Sequence, residues 1–525
     1  MSQLVTSPEV DKDVAESVEE KSLDSGLGRY FSNATHTIFD EIVSPDINSD
    51  ILNASVSAPT PHPVFTTMSV TTSNDFLNGS FSDTERVSDH VTASDSHRDA
   101  WIPSEHTRKI LASLALTPGN NFPDRINLTM PGLMLQGDLP DITKETAIHF
   151  LGEEENIHRN VLTASDVTQD ERGLRNLIHA GCYRAAVNLT GRLIAVYGQG
   201  YGKIDHPSKH TPHSLQLWFT RLALLAKLKQ IDILENESRP FGNLDKPDMF
   251  FTFYPELYGT RPGSMASFAF RLLLAEIPSY CGKSKLAMDN LHKILATVRQ
   301  IIRNLQMGLA EDGGRAKFSL AERDDSIRLW LGRKSRILIS IVNCALGMKN
   351  YVLAVDVLEN LCESLDWTPD QRQILISAIG RAYLFLGDVS AAEKKFAIGT
   401  DSRENPTTVR EHMDNGLIAV AQNAFQEAYN SFKKASAIEP SNITVINNMA
   451  VCLLYTGQLK AAVHLLENAI ARNPAKSLQE AVLLNICTLY ELHTTHCKQP
   501  KLHLLRQLNR YKGDATSIQC LKLII

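Results

Sequence analysis

Three stretches of this chain share one 34-residue pattern, two in exact phase and the third offset by two residues, and that period constrains the fold more than any other feature. The stretches are 373–406, 409–442 and 443–476, and the last two abut without a gap. Ala428 and Ala462 lie one period apart, as do Ala435 and Ala469, and Pro440 and Pro474. A small residue recurs at Gly380, Gly416 and Ala450, and a second at Ala392, Ala428 and Ala462. Four residues after the second comes a bulky one: Phe396, Phe432 and Leu466. Tyr383 completes the first copy, and Gly387 and Gly457 fall where a turn needs a left-handed backbone.

The spacing has a physical reading. Each unit is a pair of antiparallel helices; small side chains let the backbones approach, and the large one fills the space beside them. One such pair leaves apolar surface uncovered, so pairs must stack into a solenoid. The period and its small and large positions resemble the tetratricopeptide repeat, and the fold class is therefore all-α. Weaker copies precede these. Ala354 and Leu358 mark 335–368; Ala275, Gly282, Ala287 and Leu291 mark 268–301; Gly181 and Ala186 mark 167–196. The expected organisation is an acidic head (1–100), an extended arm and linker (101–164), degenerate hairpins (165–372), regular repeats (373–476) and C-terminal capping helices (477–525). Pro118, Pro123, Pro131 and Pro140 are expected to exclude a long helix from the arm until about Ile142. The Pro- and aromatic-rich insertion 237–264 either lies on a binding face or bridges imperfect repeats.

Composition divides the chain in two. Residues 1–100 hold 5 Lys or Arg against 17 Asp or Glu, with 27 Ser or Thr and no Trp. Such a segment cannot bury enough apolar surface to offset its ordering entropy, so it reads as disordered, either solubilising or a phosphorylation-controlled docking element. The whole chain of 525 residues has a net charge of −6, which argues against a dedicated nucleic-acid binder. No apolar run approaches the roughly 20 residues of a membrane span, and the start MSQLVTSPEV has no signal-peptide character. The eight cysteines form no CxxC and read as reduced core thiols of a cytosolic protein.

Catalytic signatures are missing. There is no P-loop, no GxGxxG after a strand and no GxSxG. Gly198-Gln199-Gly200-Tyr201-Gly202-Lys203 follows a helix and reads as a loop rather than a phosphate cradle. His206, His210 and His213 suggest a metal cluster, but Pro207 and Pro212 break the helix that would align them, and the bland reading is a surface loop. His493, His496 and Cys497 are read the same way. The chain is therefore expected to be no enzyme and to need no cofactor or metal. A binding surface is the more natural product of stacked hairpins. First-helix residues Met413, Leu417, Val420, Asn447, Asn448, Val451 and Tyr455 are the candidates to line a partner groove; they either do so or pack on the next repeat or the arm. Only Asn448 matches the positions with which chaperone adaptors of this repeat class grip a terminal carboxylate, so a co-chaperone is the weaker alternative.

Several blocks lie outside the generic repeat signature: WIPSEHTR (101–108), LTMPGL (128–133), VLTASDVTQDERGLRNLIHAGCYRAAVNLTGRLI (161–194) and HSLQLWFTRLALLAKL (213–228). FGNLDKPD (241–248), RPGSMASFAFRLLLAE (261–276), GLAEDGG (308–314), NNMAVCLLYTGQLK (447–460) and QCLKL (519–523) join them. Together these resemble the tetratricopeptide subunits of the trafficking protein particle (TRAPP) complexes, from about Trp101 to the end. The resemblance implies a non-catalytic scaffold that joins large peripheral subunits to small core subunits. It also implies a vesicle-tethering assembly that promotes nucleotide exchange on Rab-type GTPases, between endoplasmic reticulum and Golgi, with a link to autophagy. The expected location is cytoplasmic, peripheral at the endoplasmic reticulum–Golgi intermediate compartment and the Golgi, without membrane insertion.

Overall fold

A computed structural model describes residues 100–116, 124–159, 161–259, 261–315, 319–363, 367–399 and 408–523. The disorder and phosphorylation expected of the head lie outside the described residues, as does 400–406 of the first repeat copy. Among the described residues there is no strand, only three isolated β-bridges.

Two helices lie in the arm, α1 (Glu105–Leu116) and α2 (Ile142–Leu151). The first corrects the expectation of an extended arm up to Ile142. Its stretch is free of proline, and Ser104 supports the first turn, its hydroxyl accepting from the Thr107 amide at 3.3 Å. The solenoid then runs as α3 (Glu171–His179), α4 (Tyr183–Val196), α5 (Pro212–Lys227), α6 (Ile231–Ser238), α7 (Phe268–Tyr280) and α8 (Ser284–Gln306). It continues with α9 (Leu320–Gly347), α10 (Tyr351–Glu363), α11 (Pro369–Leu386), α12 (Val389–Gly399), α13 (Val409–Ala421) and α14 (Phe425–Ile438). The last members are α15 (Ile443–Tyr455), α16 (Leu459–Arg472), α17 (Glu480–His493) and α18 (Lys498–Tyr511).

Local chemistry starts these helices where the repeat requires. Thr368 and Gln371 cap α11 reciprocally behind Pro369, Thr408 and Glu411 do so for α13, and Ser319 and Glu322 for α9. Each consecutive pair from α3/α4 to α15/α16 packs face to face, and each pair packs on the next. The exception is α18, which packs mainly on α2 of the arm while its Lys501 pairs with Glu491 of α17 at 2.6 Å.

The insertion 237–264 is core rather than an open loop. Phe241, Met249, Phe250, Phe251 and Tyr254 are buried with Trp218 and Phe270 in the N-terminal hydrophobic cluster. Three of its acids bind the arm's backbone. Asp245 accepts from the Ser104 amide at 2.9 Å, Asp248 from the Thr129 amide at 2.5 Å, and Glu237 from the Met134 amide at 3.0 Å. Glu237 also forms a fully buried pair with Arg221 at 2.6 Å. The arm is thus strapped to the body by three carboxylates, of which Glu237 and Asp248 are buried, each with backbone or guanidinium donors.

Candidate binding surface

The repeat positions show why their residue types are needed. A Cβ placed on Gly380 would lie 2.4 Å from the Phe396 ring, and one on Gly416 would lie 2.3 Å from the Phe432 ring. Ala392, Ala428, Ala450, Ala462 and Phe432 are essentially inaccessible, and Ala435 and Ala469 are buried beside them. Tyr383 is half-buried, its hydroxyl donating to Glu359 at 3.1 Å. Pro474 opens a short turn of helix (Pro474–Ser477) after α16, and Pro440 is exposed beyond the end of α14.

Most groove candidates do not line an open groove. Met413, Leu417, Val420, Asn447, Asn448 and Val451 are all buried. Met413, Leu417, Val420 and Val451 belong to one hydrophobic cluster formed by α11–α15. They fill the seam between neighbouring hairpins and leave no open gap there. Tyr455 alone is exposed, at 39%, and stacks on Phe425 with ring centroids 4.6 Å apart.

Along that seam runs a polar ladder that periodicity alone does not reveal. Ser377 and Arg381 flank Gly380 at −3 and +1; both reach Asp414, two residues before Gly416. The Ser377 hydroxyl donates to Asp414 at 2.6 Å, and the Arg381 guanidinium sits 2.7 Å from it, with all three residues buried. One repeat later the flanking residues are Met413 and Leu417, and the facing residue is Asn448. Neither amide atom of Asn448 has a hydrogen-bond partner among the described residues, although the side chain is 0% exposed. One repeat further, Asn447 accepts from Asn485 at 2.8 Å, and Asn485 again lies two before a small residue, Cys487. The same register appears upstream where Ser340 of α9 donates to Glu276 of α7. Burial raises the Glu276 carboxyl above its ordinary range, partly opposed by Arg336, Ser340 and Tyr280.

The histidines expected as a loop divide. His210 is fully buried, with Nε2 2.9 Å from the Thr129 carbonyl and Nδ1 3.3 Å from Gln199, so it fastens the arm. His206 is exposed and reaches only the Ile204 carbonyl, while His213 pairs with Glu171 at 2.7 Å. Among the described residues no three His, Cys, Asp or Glu side chains, His493, His496 and Cys497 included, converge to hold a metal ion. Burial pushes the thiols of Cys452 and Cys487 up to about 12, so both are held protonated and unreactive. A shallow cleft of about 600 Å³ lies between α3, α4 and α5, walled by Leu193, Val196, Tyr197 and Leu217 on one side and Glu171, Arg172 and Arg175 on the other. Open and of mixed charge, it suits a protein contact better than an enclosed reaction.

The ends of the array are joined. Asp514, just beyond α18, accepts from the Arg184 amide at 3.0 Å and the Ala185 amide at 2.8 Å, so it caps the first turn of α4 from 330 residues away. A Cβ on Gly513 would lie 2.2 Å from the Gly181 carbonyl oxygen. Arg159 of the arm donates to the carbonyls of Asn509 at 3.0 Å and Gly513 at 3.3 Å while pairing with Asp141 at 2.6 Å. Lys229 and Glu480, 3.4 Å apart, and Arg506 and Glu155, 2.5 Å apart, add to the join.

A tetratricopeptide-repeat family profile matches residues 419–484. The chain is 42% identical over 436 residues to trafficking protein particle complex subunit 12 of Mus musculus, covering 82% of this chain and 54% of that protein. The Homo sapiens protein of the same name is also 42% identical over 436 residues, with 82% and 59% covered. The chain therefore spans little more than half the length of the curated relatives it matches. Among solved structures, the human IFIT1 dimer with PPP-AAAA overlays 80% of this chain and 87% of its own, at 12% identity and a TM-score of 0.29, too low to carry an inference.

Proposed function

We propose, from the kinship of this tetratricopeptide-repeat chain with subunit 12 of the trafficking protein particle complex, that it is a non-catalytic scaffold in an assembly of that kind. The observation that carries the reading is 42% identity sustained over 82% of the chain, well beyond the 66 residues of the repeat match. An array of packed hairpins with joined ends adds physical support: it offers a large, preorganised outer surface for holding other proteins.

On this reading its partners are the large peripheral and small core subunits of the complex, and it acts on Rab-type GTPases only indirectly. It works in transport between endoplasmic reticulum and Golgi, and in autophagy, as a cytoplasmic protein peripheral at the intermediate compartment and the Golgi. Among the described residues no helix is long and apolar enough to cross a membrane. Within the repeats, Gly380, Ala392, Phe396, Gly416, Ala428, Phe432, Ala450, Ala462 and their neighbours are assigned to packing. Partner contacts are assigned to exposed positions, Tyr455 among them, rather than to the buried seam.

Affinity purification of the tagged full chain from cells tests this. Stoichiometric recovery of trafficking-complex subunits is the expected result; heat-shock proteins without any such subunit would overturn it. The co-chaperone alternative is disfavoured on a specific ground. Two of the positions that would grip a terminal carboxylate are Met413 and Leu417, apolar and buried.

A further inference from the structure

We propose that the outward face of α8 is the docking surface for the acidic segment of this same chain, residues 1–99.

Helix α8 has 23 residues, a length of about 34 Å. Its inner face is apolar and buried: Ala287, Leu291, Leu295, Val298, Ile301 and Leu305. Its outer face carries Lys285, Lys293, Arg299 and Arg303, all exposed, against one acid, Asp289. None of the four cations forms a salt bridge among the described residues. The sole side-chain contact is that of Arg303, which donates to Gln300 at 3.2 Å. Cations elsewhere on the surface do find carboxylates: Lys283 pairs with Glu235, Arg328 with Asp325 and Lys395 with Glu359. The face is therefore a stripe of positive charge left without a counter-charge by the body.

Two facts select the occupant. Residues 1–99 carry 17 carboxylates against 5 cations, so the charge is complementary. They also enter the fold at α7 and α9, the two helices that pack on α8. Trp101 and Ile102 pack on the hydrophobic cluster that holds the inner face of α8, and the Trp101 ring lies 6.5 Å from Trp330 and 4.6 Å from the Arg271 guanidinium. About a dozen extended residues suffice to run the length of the helix, at roughly 3.3 Å each. Each exposed ion pair is weak alone, but covalent tethering keeps the acids at an effective concentration on the order of millimolar. The contact is electrostatic, so it weakens with salt and strengthens when any of the 27 Ser or Thr residues in this region gains a phosphate.

The test is carbodiimide crosslinking of the full chain, which joins carboxylates to lysine amines only on contact, read by mass spectrometry. Carboxylates of 1–99 should link to Lys285 and Lys293, and about 0.5 M salt should lower the yield roughly fivefold or more. Arg299→Gln with Arg303→Gln keeps both lysines and alters only exposed side chains; it should lower the same links roughly threefold. Links absent from these lysines, or spread evenly over Lys433, Lys434 and Lys460, would overturn the proposal. So would phosphatidylserine vesicles that sediment the full chain through Arg299 and Arg303 when no such links form, because the face would then belong to a membrane surface.

Discussion

Asp414 and Asn448 occupy the same place in successive repeats and have opposite surroundings. Asp414 has Ser377 and Arg381; the positions that match those two one repeat later are Met413 and Leu417, and Asn448 has no hydrogen-bond partner among the described residues. Asp414→Ala leaves a buried guanidinium without its carboxylate and should cost about 3–5 kcal/mol in urea unfolding. Asn448→Leu removes a buried amide with no partner and should be neutral or stabilising. Equal losses from both would mean that the ladder is misread. His412, buried in α13, supplies a pH test. Burial, with Lys434 adding to it, lowers its pKa below 6.5 against the pull of Glu411. The folded chain therefore favours the neutral ring. Its contribution to stability is complete above pH 6.5 and declines as pH falls from there through the folded value. The difference in stability between the native chain and His412→Gln should shrink across that window; a flat difference would contradict it. The small and large positions were legible at this scale because their spacing within each copy, 12 residues and then 4, is strict. The ladder was not, since its partners lie 33 to 38 residues apart in the regular repeats and 64 apart upstream, and differ in chemistry at each step.

At the scale of the helical pair, Gly416 and Phe432 define the contact. Gly416→Ala places a methyl 2.3 Å from the ring and should destabilise by about 1–3 kcal/mol, seen as a lower melting temperature. Ala428→Arg or Ala462→Arg, at sites with no accessible surface, should cost at least as much; unchanged melting in both would place the register wrongly. Helix existence and order through 373–476 were readable from period, caps and turn glycines. The helix Glu105–Leu116 was not, because prolines on its C-terminal side dominate the reading of that segment. The choice between the two readings of the groove candidates was not legible for a related reason. First-helix position marks a residue as inward-facing, but whether inward means a groove or a closed seam depends on how near the next hairpin stands.

Across the whole molecule, the join of the two ends governs shape. Asp514→Ala removes two charge-assisted bonds to the first turn of α4 and should cost about 2–3 kcal/mol. In that variant, and in Arg159→Ala, amide exchange should quicken in α18 and α2 while the α11–α16 hairpins keep their protection. Small-angle scattering should give a larger radius of gyration. An unchanged radius with unchanged exchange in α18 would show that Asp514 and Arg159 are not what holds the ends together.

What the sequence determined by itself is the stacking unit: a period of 34 with small and large residues in phase admits few folds other than paired helices laid side by side. Tertiary structure alone decided that the array meets its own beginning, that the aromatic insertion is core, and that the seam is filled rather than open. Those outcomes depend on a small rotation accumulated over many hairpins and on contacts between residues hundreds of positions apart, and no local pattern of side chains carries that information.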